Sequence, residues 1–130
     1  YPDFPIIVNG DINSPEKAKE ILEFTKCDAV MIGRASYGNP YIFKRISHYL
    51  ETGELLPDLS FAERLDILKE YATDLCNYKG EFIAMKELRG QASWFIKGCK
   101  NGAKLRDEIS KIQTMDDLNL IVSKALEVGN

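Results

Sequence analysis

Two short glycine-bearing segments, one strand–helix step apart, constrain this chain more than any other feature in it. Val8-Asn9-Gly10-Asp11-Ile12 overlaps the end of the apolar run Pro5-Ile6-Ile7-Val8. Met31-Ile32-Gly33-Arg34-Ala35 overlaps the end of the run Asp28-Ala29-Val30-Met31-Ile32. Short apolar runs without alternation read as buried parallel strands. Between them Ser14 is placed as an N-cap and Pro15 at the first helical position. Ala18, Ile21, Leu22 and Phe24 supply the inner side of that helix. Strand, helix and strand over residues 5–32 make one βαβ unit, whose crossover is expected to be right-handed.

The pair of turns therefore falls at the C-terminal ends of adjacent parallel strands. In α/β barrels the loops after the last two strands commonly bind phosphate there. A phosphate dianion needs several backbone N–H donors aimed at one point, and glycine permits that approach because it has no Cβ. Arg34 adds a permanent cation with a fork of donors. Asn9, Gly10, Asp11, Gly33 and Arg34 are thus the candidate phosphate-site residues. Asn-Gly-Asp is also ordinary turn chemistry, so plain turns stand as the competing reading.

A complete eight-fold barrel needs about 250 residues. The chain has 130, so the barrel reading makes it the tail of a larger enzyme. A first residue other than methionine fits a start within a longer chain, and processing of the N-terminus would give the same. Tyr1-Pro2-Asp3-Phe4-Pro5 has no basic region and no long apolar stretch, so no signal peptide is expected. No apolar run is long enough for a membrane span, and none is expected. Cys27, Cys76 and Cys99 form no CxxC pair and no metal-ligand pattern, which points to thiols in a reducing cytoplasm and to no bound metal.

Past residue 40 the pattern changes. A helix is expected from Pro40 to Glu51, ended near Gly53, and residues 53–59 read as a linker. Ser60 and Glu63 then form a capping box. Phe61, Leu65, Leu68, Ala72 and Leu75 follow at 4-3-4-3 spacing, the apolar face of a helix that stops at Gly80. Met85, Leu88, Ala92 and Phe95 mark a second helix, and Leu105, Ile109 and Ile112 a third. Thr114 and Asp117 cap a fourth, with Leu118, Ile121, Val122 and Ala125 inward. The fold class expected is an α/β fragment, the terminal βαβα of a TIM barrel, followed by an all-α antiparallel helical bundle. The domains are residues 1–52, the linker 53–59, and residues 60–130.

Charge is unevenly spread. Between Lys86 and Arg106 stand Lys86, Arg89, Lys97, Lys100, Lys104 and Arg106 against one acid, Glu87, within a chain of net charge −3. Such a segment is either a polyanion footprint or a solvated helix face. Trp94 and Phe95 within it could stack on bases, although helical spacing favours a core role for both. Tyr37, Tyr41 and Phe43 are placed to close the barrel end, and His48 reads as a surface or packing residue.

The order NGDI, CDAVMIGRASYGNPYIF, GE and LRGQASWFIKG resembles the C-terminal part of the bacterial tRNA-dihydrouridine synthases over nearly the whole chain. GRA alone is shared with other FMN barrels, such as dihydroorotate dehydrogenases, whereas WFIKG in a helical tail sets the synthases apart. The resemblance implies an FMN-dependent barrel joined to a helical tRNA-binding domain, monomeric, with NAD(P)H reducing FMN. It implies hydride delivery to uridine C6 and protonation of C5 by a cysteine on an earlier strand. By position, Asn9, Gly10 and Asp11 match the flavin loop after the seventh strand. Gly33 and Arg34 match the phosphate loop after the eighth. Arg89 matches the start of an Arg-Lys-His stretch found in many members, but Gly90 and Gln91 stand where lysine and histidine would follow. Arg89, Lys97, Lys100, Lys104 and Arg106 are the implied RNA contacts. No catalytic residue is assigned, since none of the three cysteines lies at the matching place. The alternatives are a stand-alone RNA-binding helical module and the tail of another FMN barrel acting on a small molecule.

Overall fold

A computed structural model of the chain describes residues 3–128. Tyr1, Pro2, Gly129 and Asn130, the outer ends of the two predicted domains, lie outside the described residues. The chain is mostly helical with one small parallel sheet, and it divides into two compact units, residues 1–58 and 59–130.

In the first unit β1 (Ile7–Asn9) and β2 (Ala29–Met31) pair in parallel, with Ile7 opposite Ala29, Val8 opposite Val30 and Asn9 opposite Met31. The carboxylate of Asp28 accepts the Ile6 N–H at 2.7 Å and extends the strand contact by one residue. Between the strands runs α1 (Pro15–Thr25). Ser14 caps it by accepting the Lys17 N–H at 3.1 Å, and Lys26 ends it with φ 57°. A 3-10 turn, Arg34–Ser36, leads into α2 (Ile42–Thr52), which stops where Gly53 turns left-handed at φ 75°. The Arg45 guanidinium donates to the Leu56 carbonyl and ties the segment after Gly53 back to α2.

Ile12, Ala18, Ile42 and Ile46 form the core of this unit, with Ile21, Val30, Ile32 and Ala35 packed against them. The strands are parallel, as the apolar runs imply, but they are not buried, and Ile7 is 59% exposed. Two strands and two helices cover only one face of the pleat. Phe24, expected on the inner side of α1, is 85% exposed. At about 100° per residue it lies about 120° round the helix from Ala18 and about 160° from Leu22, past Ile21 on the outer side.

The second unit holds α3 (Phe61–Lys79), α4 (Glu81–Phe95), α5 (Gly102–Ile109) and α6 (Met115–Val128). Helix α3 packs on α4 and α6, and α5 packs on α4 and α6. The Ser60–Glu63 capping box forms in both directions, at 3.2 Å to the Glu63 N–H and 3.0 Å to the Ser60 N–H. Gly80, at φ 86°, serves two helices. Its N–H reaches the Cys76 carbonyl, and its own carbonyl accepts from Ala84. Before α6, Asp117 accepts the Gln113 and Thr114 N–H groups and donates its own N–H to the Thr114 hydroxyl. The apolar positions at helical spacing converge on one core that includes Leu68, Leu88, Phe95, Ile109, Ile112 and Val122. Among the described residues no helix is long and apolar enough to cross a membrane.

Candidate functional site

The parallel register sets the first candidate site. Asn9 and Met31 end their strands side by side, so the two glycine turns leave the sheet together. A Cβ built on Gly10 or on Gly33 meets nothing within 4 Å, so no other part of the chain fills the space on that side of either turn. Gly33 caps the 3-10 turn, whose first N–H groups have no partner within the turn. The structure brings Asp11 and Arg34 into direct contact across 23 residues, with Nη2 and Oδ1 at 2.5 Å and both side chains largely exposed. The contact ties the segment after β2 to the segment after β1 and uses one of the five N–H donors of the guanidinium. Asn9, Gly10, Asp11, Gly33 and Arg34 therefore form one cluster on one end of the sheet, and its donors suit a phosphate monoester. The adjacent carboxylate is the one group there that opposes an anion.

The second candidate surface lies on the helical unit, and here the residues separate by role. Lys97 and Lys100 occupy the α4–α5 connection, and Lys104 and Arg106 lie on α5, all exposed. A Cβ on Gly102 would stand 3.2 Å from Nη1 of Arg106, so this buried glycine leaves room for the guanidinium to lie back on the start of α5. Arg89 is only half-buried, and its Nε donates to the Ile112 carbonyl at 2.9 Å. It thus braces α4 against the turn before α6 as well as facing solvent. Gln91 accepts the Tyr71 hydroxyl proton and links α4 to α3.

Phe95 is buried, as its spacing predicts. Trp94 departs from its expected core role. It is 44% exposed, with the Lys97 ammonium 5.2 Å from its ring centroid. Tyr37 and Phe43 are exposed too. The residue that sequence reading passed over is Phe82, 72% exposed and covered by Lys86 at 4.2 Å. Their four-residue spacing is the signal that could have found it.

The cysteine chemistry is quiet. Cys99 is buried, and burial, aided by the Glu81 carboxylate, pushes the Cys76 thiol above its ordinary range. Among the described residues no cluster of His, Cys, Asp and Glu could hold a metal ion. The two perturbed carboxylates are caps. Backbone and side-chain hydrogen bonds from Ser60 hold Glu63 below its usual value. The Gln113 and Thr114 N–H groups do the same for Asp117.

The sequence model of the dihydrouridine synthase family, Dus, matches residues 2–128, and the chain belongs to that family. It is 40% identical over 112 residues to tRNA-dihydrouridine synthase B of Vibrio cholerae, covering 86% of this chain and 35% of that protein. The protein of the same name from Proteus vulgaris is 46% identical over 93 residues, covering 72% of this chain and 29% of its own length. That of Vibrio vulnificus is 38% identical over 123 residues, covering 95% and 37%. The chain spans about a third of the length of these curated relatives.

Proposed function

We propose that the chain is the C-terminal portion of a cytoplasmic tRNA-dihydrouridine synthase. Residues 1–52 supply the last strands of a TIM barrel, residues 53–59 a linker, and residues 60–130 an antiparallel helical bundle that grips tRNA. The observation that carries the reading is the side-by-side exit of the two glycine turns, with Arg34 of one segment bonded to Asp11 of the other. On this reading Gly10, Gly33 and Arg34 hold the phosphate of FMN, Asp11 aims the guanidinium, and Asn9 meets the ribityl chain. FMN, reduced by NAD(P)H, supplies the hydride for a uridine ring. This chain's own residues bind and orient, and the proton donor lies elsewhere in the enzyme.

The helical unit would recognise folded tRNA by shape and backbone, since a uridine must leave its stack to be reduced. Lys97, Lys100, Lys104 and Arg106 supply phosphate contacts. Arg89, bonded to Ile112, adds a contact from its remaining guanidinium donors. The test has two arms. The chain alone, given FMN, NADPH and unmodified tRNA, is expected to form no dihydrouridine, and the full-length enzyme carrying it is expected to form it. In the second arm the chain binds tRNA with an affinity that falls as salt rises, because phosphate contacts release counterions. Turnover by the chain alone, or binding indifferent to salt, would sink this reading.

A further inference from the structure

Phe82, Lys86, Gly90 and Trp94 follow one another at four-residue steps along α4, so they form one continuous ridge on its surface. All four are exposed, whereas Ala84, Met85, Leu88 and Ala92 of the same helix are buried. Each end of the ridge is an aromatic ring with an ammonium over it, Lys86 on Phe82 and Lys97 on Trp94. Twelve residues separate the two rings, about 18 Å along the helix.

Gly90 is the notch between them. A Cβ built there meets nothing within 4 Å, and its φ is not positive. Among the described residues no neighbour requires a glycine there, and neither does the backbone conformation. Glycine inside a helix is nonetheless disfavoured relative to alanine. The missing side chain leaves the helix backbone open to close approach at that point.

We propose that this ridge is a track for an RNA backbone, an inference that rests on the tRNA-binding reading of the helical unit. The strand crosses α4 at Gly90, with Phe82 and Trp94 packing against bases or riboses on either side and Lys86 and Lys97 meeting the flanking phosphates. The chemistry favours RNA over an apolar protein partner. A dry interface would strip water from two ammonium groups without repaying it. Nucleic acid offers phosphate to each cation and a π-face to each ring. Arg89 and Gln91, on either side of the notch, are engaged with Ile112 and Tyr71 and hold that stretch of α4 in place.

Gly90→Ala and Gly90→Gln in the 130-residue chain test the proposal. Both are better helix formers than glycine in open space, so both should raise the melting temperature. If the notch admits RNA, tRNA affinity by fluorescence anisotropy falls all the same, at least tenfold for Gly90→Gln and less for Gly90→Ala. A purely structural role would move stability and affinity together. Binding by Gly90→Gln within twofold of the parent would overturn the track while leaving the helical unit's tRNA binding intact. A parent chain that binds no tRNA even at low salt would overturn both. Sedimentation showing self-association in the parent that Gly90→Gln abolishes, with tRNA affinity kept, would reassign the ridge to a contact between copies.

Discussion

Residues 59–128 and residues 3–58 use similar apolar side chains and reach different degrees of closure. In the helical unit Leu65, Leu68, Met85, Leu88, Ile109 and Leu118 are wholly or almost wholly buried, each facing residues from another helix. In the βα unit the core is four buried residues, while Phe4, Ile7, Met31 and Phe43 stay exposed. Helices satisfy their own backbone hydrogen bonds and need only one apolar stripe covered. A parallel sheet needs both faces and both edges covered, and two strands with two helices cannot supply that. The same difference shows in what each unit presents. The helical unit shows solvent the lysines and arginines of α4, α5 and the turn between them, and the βα unit shows it two glycine turns.

The largest effect is expected in the closed helical core, where Leu88→Ala leaves a cavity and should cost about 2–5 kcal/mol. Trp94, the sole tryptophan, lies in this unit, so urea titration by tryptophan fluorescence reads that loss directly. Ile46→Ala, in the other core, should leave the Trp94 transition in place. If it moves the midpoint as Leu88→Ala does, the two units do not fold as separate bodies.

A smaller effect sharpens the contrast from the side of the βα unit. If Arg34 holds the flavin phosphate as proposed, Arg34→Ala in the full-length enzyme removes a charge-assisted contact worth roughly 1.5–3 kcal/mol. That corresponds to about a ten- to hundred-fold loss of FMN affinity, read by flavin fluorescence titration. Unchanged affinity would show that the contact with Asp11 is the whole role of Arg34.

The smallest effects lie at the helix starts. Ser60→Ala should cost about 1 kcal/mol through loss of the cap. Glu63 and Asp117 both titrate lower in the folded chain than when unfolded. The folded state therefore binds fewer protons over that interval. Their contribution is complete above the unfolded carboxylate range, about pH 4, and is lost as pH falls through the lower folded values. The urea midpoint of the helical unit should fall in that acid window, and Glu63→Gln with Asp117→Asn should flatten the fall. A midpoint with the same acid slope in the double variant would place the acid sensitivity in other carboxylates.

The sequence by itself determined the local features of this protein. Ser14 with Pro15, Ser60 with Glu63, and Thr114 with Asp117 each act within one helical turn, so the spacing contains the whole interaction. Helical periodicity likewise located the core faces of α3 to α6, because burial on one side of a helix follows from its pitch alone. Only the tertiary structure decided the rest. That Asp11 captures Arg34, that Arg89 bonds to Ile112, and that Gln91 meets Tyr71 are contacts across 20 to 23 residues, which no local pattern encodes. Phe95 and Trp94 are adjacent and both aromatic, yet one is core and the other ridge. The neighbouring helices cover only one of the two directions, about 100° apart, in which successive residues of α4 point.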